Sequence, residues 1–208
     1  AETRLQLEAE THLSAVSFRL TADLLYDALA DRQAIDLETG DGFVDLREAN
    51  ATFSPTNFAD AKLGRQILTW GTGDLVFVND LFPKDWNSFL LGRDREYLKA
   101  PSDALKLALF SAWANFDLVY MPRFDADRFI DGRRVSFFDS ARGRIVGRDA
   151  VVQVDRPERW LGDDEWALRL YRNFGAYEGA LYAYDGFWKS PAGQNPLTGR
   201  STFPALSV

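Results

Sequence analysis

The sequence predicts an all-β fold: an antiparallel transmembrane β-barrel of which about eight to nine strands are present. Three observations predict it. Apolar and polar residues alternate with a period of two, the connections between alternating stretches are short and long in turn, and the polar positions are dense in charge. No stretch approaches the roughly 18 consecutive apolar residues of a transmembrane helix. The alternation therefore predicts strands with one lipid-facing side.

The first predicted hairpin shows the alternation most clearly. Along residues 4–13, leucine and alanine occupy one face and charged or amide side chains the other, and the pattern resumes over residues 16–24 after a tight junction. A soluble sheet would cover such an apolar face, but no amphipathic helix is evident to do so. The hairpin therefore favours strands that are apolar towards lipid and polar towards a lumen.

The later elements follow from the same period. Outer-membrane barrels join their strands by short periplasmic turns and long outer loops in alternation. The two longest predicted connections, about 71–103 and 122–164, are therefore expected to be outer loops. The second strand ends near Tyr26, and the further strands are predicted at 43–53, 61–70, 104–110, 115–121, 165–173, 177–188 and within the last residues.

The composition excludes several classes of function. The 208 residues contain no cysteine and one histidine, His12, so thiolate sites, cysteine nucleophiles and paired imidazoles are absent. A net charge of −7 argues against nucleic-acid binding. No serine-hydrolase elbow and no complete nucleotide or calcium loop occurs. We predict no enzyme, no cofactor and no metal site.

One segment resembles a known family. The run from Leu63 to Pro83 reads LGRQILTWGTGDLVFVNDLFP, a Gly-Arg-Gln strand ending in Trp-Gly and followed by a loop with Asp-Leu-Phe-Pro. It is similar to the signature of a porin-like family of Gram-negative outer-membrane β-barrels, most of them uncharacterised, and the similarity covers about 43–120. The resemblance implies an outer-membrane location, lipid and lipopolysaccharide as neighbours, and small solutes as cargo. Family barrels are larger than these strands could close, so residues 1–208 are expected to be a single domain, part of such a barrel.

The charged face of the strands is predicted to line the pore, where rows of charge hold water and act on a passing solute. For most of these residues, mutual structural pairing is the alternative. The pore-lining candidates are Arg4, Glu8, Glu10, His12, Arg19, Asp23, Lys106, Asp117 and Arg169, with Gln6 between them.

The first long loop is predicted to narrow the barrel mouth, because long ordered connections are often functional. A cap outside the pore is the alternative. The second long loop is rich in arginine, which suits anionic solutes or lipopolysaccharide phosphates, and internal salt bridges are again the alternative. The constriction-loop candidates are Trp70, Asp74, Asp80, Phe82, Trp86, Arg93 and Arg95.

The expected function is passive diffusion of small solutes across the outer membrane. Two other functions stay open. A plugged barrel serving as a surface scaffold or adhesin would conduct no ions, and a soluble β-sandwich binding module would purify without detergent. The sequence predicts no oligomeric state.

Overall fold

The structure, a computed structural model, describes residues 2–27, 35–70 and 80–208. It is all-β, with 54% strand and 7% helix, and its strands are mostly antiparallel. The predicted all-β antiparallel fold is therefore confirmed. Asp74 and the rest of 71–79 lie outside the described residues, as does the part of the predicted 28–42 loop up to residue 34.

Fourteen strands are present in the described parts of the chain. In chain order they are β1 (Glu2–Leu13), β2 (Val16–Asp27), β3 (Val44–Thr56), β4 (Ala59–Ile67), β5 (Pro101–Leu109), β6 (Asn115–Met121), β7 (Phe137–Asp139), β8 (Arg144–Val146), β9 (Val154–Asp155), β10 (Glu165–Phe174), β11 (Tyr177–Phe187), β12 (Gly193–Gln194), β13 (Ser201–Thr202) and β14 (Ala205–Ser207).

Nine of these strands form one open sheet in the order β1-β2-β3-β4-β5-β6-β10-β11-β14. Each pairs antiparallel with its neighbours, so the sheet is a meander whose edges are β1 and β14. The short strands belong to the long connections. β7 and β8 form a hairpin, and β12, β13 and β9 form a small separate sheet.

The connections of the main sheet are sorted by length. Four short turns, 14–15, 57–58, 110–114 and 175–176, lie at one end, and the long connections lie at the other. Ser14 and Gly175 adopt left-handed backbone conformations, with φ of 56° and 63°, as tight hairpin turns require. The predicted alternation of short and long connections is present.

The strand boundaries differ from the predicted ones by up to about three residues, and two of the differences have a local cause. β4 ends at Ile67 instead of continuing to Trp70, because Leu68 and Trp70 are buried in an apolar cluster. The last predicted strand is divided between two sheets, with β13 in the small sheet and β14 in the main one. Pro204 lies between them and has no N–H to continue a ladder.

The helices are short. α1 covers Trp86–Leu91; the Oδ1 atom of Asp85 accepts a hydrogen bond from the backbone N–H of Ser88 at its start, and Gly92 ends it with φ of 67°. Two 3₁₀ turns cover Arg95–Leu98 and Arg148–Ala150. In the part of the chain that the structure describes, no helix has the length and apolar character needed to cross a membrane.

The apolar core lies beside the main sheet at its long-connection end. The register places Val119, Ala167 and Tyr184 opposite one another on β6, β10 and β11, and their side chains pack with residues that precede and follow the gap at 71–79. A second, smaller cluster joins Phe124, Ala126 and Phe203. The main cluster consists of Leu68, Trp70, Phe82, Ala104, Val119, Met121, Ala167 and Tyr184.

Candidate functional site

The candidate site is the charged face of the main sheet. The register pairs Gln6 with Asp23, Glu10 with Arg19 and His12 with Ser17 on β1 and β2. It continues from Ser17 through Thr52 and Lys62 to Lys106, and from there to β6 and β10. Because side chains alternate between the two faces of a strand, all nine pore-lining candidates lie on this one face, called here the polar face.

The two ends of the polar face differ in exposure. At the short-turn end, Glu8, Glu10, His12 and Arg19 are exposed, and Nδ1 of His12 lies 2.7 Å from the hydroxyl of Ser17. At the long-connection end the charged side chains are buried, with Asp23 fully inaccessible to solvent. The polar face is therefore open at one end and covered at the other.

The remaining pore-lining candidates form ion pairs on this face. Nη1 of Arg4 lies 3.1 Å from Oδ2 of Asp23. Farther across the same face, on β5, β6 and β10, Oδ2 of Asp117 lies 4.0 Å from both Nζ of Lys106 and Nη1 of Arg169. These contacts are the mutual pairing considered as the alternative for this face, and they occur between neighbouring strands.

Residues 80–100 cover the buried end of the polar face and are called here the covering segment. Tyr97 anchors it, with its ring between two guanidinium groups whose carbon atoms lie 4.8 Å (Arg4) and 4.9 Å (Arg47) from the ring centroid. Nε2 of Gln6 donates a hydrogen bond to the Tyr97 hydroxyl at 3.3 Å, and Nη2 of Arg47 donates one to the carbonyl of Glu96 at 2.6 Å. Burial and the charges of Asp23 and Glu96 raise the pKa of Tyr97 to about 12, so the ring stays neutral between its two cations.

Arg128 joins the second long connection to the covered end of the polar face. Its two Nη atoms form a bidentate pair with Asp45 at 2.7 and 2.8 Å, and Nη1 also lies 3.4 Å from Asp85. All three side chains are buried. Burial disfavours the charged guanidinium, but Asp45 and Asp85 outweigh it and raise the pKa of Arg128. The guanidinium group of Arg128 thus joins the second connection to β3 through Asp45 and to the covering segment through Asp85.

Most of the constriction-loop candidates that the structure describes either pack in the apolar cluster or bind charged and polar partners. Trp70 and Phe82 pack edge to face with ring centroids 4.9 Å apart inside the main apolar cluster, so they support the covering segment and do not face open space. Nη2 of Arg93 lies 2.6 Å from Oε2 of Glu2 on β1. Asp80 pairs with Lys84, and the indole N–H of Trp86 donates to Asp127 at 3.0 Å.

The Gly-Arg-Gln motif has local structural roles. Gly64 has φ of 113°, and a Cβ at this position would lie 2.4 Å from the carbonyl oxygen of Ala49. Nε of Arg65 donates to the carbonyl of Leu46 at 2.7 Å, and Nε2 of Gln66 donates to that of Ala104 at 2.9 Å. The motif therefore fixes β4 between its two neighbouring strands.

Two sizeable cavities border the covering segment in the part of the chain that the structure describes. One of about 380 Å³ lies between the polar face and the 3₁₀ turn, and Glu8, Arg19, Arg95 and Lys99 are among its lining residues. The other, of about 420 Å³, lies at the long-connection end and is lined by both acidic residues and arginines. Arg95 is the one constriction-loop candidate whose side chain borders the first cavity in the described parts of the chain.

A further buried ion pair lies where β10 begins, at the long-connection end of the sheet. Nζ of Lys189 lies 2.5 Å from Oε2 of Glu165 and donates to the carbonyl of Asp125 at 3.0 Å. The hydroxyl of Tyr184 donates to Oε1 of Glu165 at 2.5 Å. Glu165 is fully buried, so the cation that it needs comes from the last long connection.

Sequence reasoning missed Arg47, Glu165 and Lys189 as site residues, and it placed Tyr97 and Arg128 in the two long loops without identifying their partners. Arg128 and Asp45 are 83 positions apart, and no local pattern marks either one. What these residues share is that they are buried in contact with charged groups. Only the folded chain shows this, because their partners are distant in the sequence. Among the residues that the structure describes, no group of three or more His, Asp or Glu side chains could hold a metal ion.

No protein-family model, no curated protein and no solved structure matches this chain.

Proposed function

We propose that this chain is part of a porin-like β-barrel of the Gram-negative outer membrane and that it carries small solutes across that membrane by passive diffusion. The observation that supports the proposal best is the inverted polarity of the main sheet. On one face its apolar side chains are largely exposed, whereas on the other its charged side chains are exposed at the short-turn end and buried, beside the main apolar cluster, at the long-connection end. In a soluble protein the two faces would have the opposite environments.

The exposed apolar face is continuous across the sheet. On the edge strand β1, Leu5 and Leu7 are 58% and 50% exposed, and on β11, Leu181 is 71% exposed. Leaving such a large contiguous patch in water is unfavourable, because transfer of apolar surface out of water contributes roughly 25 cal/mol per Å². A bilayer around the sheet would remove this cost, and lipid and lipopolysaccharide would then be the neighbours of this face.

Aromatic residues near the strand ends fit the same environment. Tyr26, Trp113 and Tyr177 are exposed at turns or strand ends, and Trp166 packs against Tyr120 with ring centroids 4.4 Å apart. Amphipathic rings of this kind favour the boundary between lipid and water. Trp70 departs from this pattern, since it is buried in the apolar cluster.

The polar face supplies the walls of the proposed water-filled path. Its exposed half carries Glu8, Glu10, His12 and Arg19, which would hold water and give the path its ion selectivity. The proposal involves no covalent chemistry, no cofactor and no nucleic acid. It also requires that the edges β1 and β14 pair with other strands, because lipid cannot satisfy free backbone N–H and C=O groups.

A plugged barrel is the second candidate function. The buried pair between Arg128 and Asp45 and the seat of Tyr97 between Arg4 and Arg47 favour it, because both hold the connections firmly against the polar face. Such a barrel would act as a scaffold or adhesin on the cell surface. The soluble β-sandwich is disfavoured by the exposed apolar face.

Planar-bilayer conductance of the full-length protein, refolded in detergent, tests the proposal. Folding is first established by the shift in electrophoretic mobility between unheated and heated samples. Discrete ohmic current steps are expected, with a selectivity that changes between salts of different ion size. Folded protein that conducts no current would overturn the diffusion channel and support the plugged barrel. Protein that folds and stays monodisperse without detergent would overturn the membrane location.

A further inference from the structure

The second long connection contains an ordered hairpin with a basic surface. Residues 131–149, called here the basic hairpin, include the paired strands β7 and β8. Oδ1 of Asp139 accepts hydrogen bonds from the backbone N–H groups of Ala141 at 2.9 Å and Arg142 at 3.1 Å, which closes the turn between them. At the base, the N–H of Val152 donates to the carbonyl of Asp131 at 2.8 Å. The hairpin therefore has a defined shape and a defined tip.

The basic hairpin exposes an apolar pair on one face. Phe137 faces Val146 across the two strands, and Phe138 faces Ile145. Val146 is buried, whereas Phe138 and Ile145 are 64% and 70% exposed. Since alternate residues point to opposite faces, one face packs towards the protein and the other presents an aromatic and a branched aliphatic side chain side by side.

The charge of the hairpin is opposite to that of the chain. Residues 131–149 contain five arginines and three aspartates, whereas the whole chain carries a net charge of −7. The side chains of Arg133, Arg142 and Arg144 are about half exposed, although each pairs with an aspartate of the same hairpin or its base. Each guanidinium has five N–H donors in a planar arrangement, so one carboxylate does not saturate it.

We propose that the basic hairpin binds the phosphate groups of lipopolysaccharide in the outer leaflet next to the barrel. Arg142 and Arg144, at the tip of the hairpin, would bind the phosphates, for which the guanidinium geometry is suited. Phe138 and Ile145 would insert beside the sugar–acyl boundary, because basic surfaces that also carry exposed apolar side chains bind anionic lipid surfaces. This inference rests on the proposed membrane location, which puts the long connections at the outer surface.

A lipid surface fits these features better than another acidic partner does. Arginines alone would suit any polyanion, but the exposed pair of Phe138 and Ile145 lies on the same short hairpin and needs an apolar environment. The net negative charge of the rest of the chain also disfavours a nucleic acid, whose backbone would be repelled over most of the surface.

The test measures binding of diphosphoryl lipid A to the folded full chain in zwitterionic detergent, by the change in tryptophan fluorescence and by the thermal midpoint. The R142Q and R144Q double variant is expected to bind at least about tenfold more weakly, since each arginine near an anionic surface contributes about fivefold. F138S is expected to weaken binding by a similar factor. The matched control is R172Q, which changes an exposed arginine that lies 5.3 Å from the ring of Phe174 at the short-turn end; its affinity should stay unchanged.

Five outcomes would overturn the proposal: no binding to the wild type, equal binding by the double variant, equal loss in R172Q, equal affinity for lipid A without phosphates, or full competition by inorganic phosphate. Saturating inorganic phosphate should compete only weakly, and full competition would show a site for free anions instead. Conductance in lipid A-free bilayers separates this proposal from the proposed function. The double variant should conduct like the wild type. If it loses lipid A binding but keeps its current, the change affects the hairpin and not the channel. Lipid A binding by a folded protein without current would overturn only the channel.

Discussion

The guanidinium carbon of Arg4 lies 4.8 Å from the centroid of the Tyr97 ring, and this contact joins the edge strand β1 to the segment that covers the polar face. Arg47 of β3 lies on the same ring at 4.9 Å. A neutral aromatic ring can stabilise two buried cations without bringing a charge of its own. The covering segment is therefore attached to the sheet by an aromatic contact, although Arg4 also forms ion pairs with the carboxylates of Glu2 and Asp23.

Removal of the Tyr97 ring is expected to loosen the covering segment. Tyr97→Ala leaves a cavity and two guanidinium groups without their ring, and should lower the free energy of unfolding by about 3 kcal/mol. Tyr97→Phe keeps the ring and loses only the hydrogen bond from Gln6, so it should cost less than about 1.5 kcal/mol. Urea unfolding of the refolded protein measures both, and equal losses would show that the hydroxyl matters more than the ring.

Loss of the buried charge at Arg128 is expected to be costly. Arg128→Gln leaves Asp45 and Asp85 buried without their main cation, and breaking a buried pair in this way costs about 3–5 kcal/mol. The same change at the exposed Arg172 should alter the unfolding free energy little. If the two variants unfold alike, the charge of Arg128 is not what secures the second connection.

An arginine on the apolar face distinguishes lipid from water as its environment. Leu20→Arg should lower stability in a bilayer by about 2–4 kcal/mol if residue 20 lies near the midplane. Glu8→Arg, close by but on the polar face, should be tolerated. Folding into lipid vesicles, followed by electrophoretic mobility with and without heating, measures both variants. In a water-exposed sheet Leu20→Arg would be harmless, so an unaffected Leu20→Arg variant contradicts the membrane location.

The stability of the protein should depend on pH through Asp125. Burial raises the pKa of this carboxyl to about 6, from an ordinary value of 3.8. The folded state then binds a proton more readily than the unfolded state, so stability increases as the pH falls from about 7 towards 4. The contribution is at most on the order of 3 kcal/mol, for a shift of about two pH units. Asp125→Asn should remove this slope, and unfolding midpoints at several pH values measure it; an unchanged slope would assign the dependence to another group.

Charge selectivity is expected to depend on the open end of the polar face. Glu8→Gln combined with Glu10→Gln removes two exposed carboxylates and should shift the reversal potential of the full-length channel towards anions. Glu158→Gln, in a connection away from this face, serves as the control. A reversal potential unchanged by the double variant would leave these carboxylates with a structural role alone.

Much of the sheet could be predicted because strand signals are local. The period of two along residues 4–13 and 16–24 predicted β1 and β2, and the same reasoning assigned every described strand of the main sheet to within a few residues, apart from the divided last one. The faces were also predictable, since alternation alone decides that Arg4, Glu8 and Asp23 share a side. The ends of the strands were less predictable. β4 ends early because Leu68 and Trp70 are buried in the apolar cluster.

The sequence by itself determined the strands, their two faces and the sorting of short and long connections, because each depends on neighbours within a few positions. Only the tertiary structure decided that the connections fold back over the polar face. Arg128 reaches Asp45 across 83 positions, and Lys189 reaches Glu165 across 24. An arginine in a loop has the same local pattern whether it is solvated or buried. Its role depends on whether folding buries it beside a distant carboxylate. Burial then costs the desolvation of both charges, and their pairing offsets that cost.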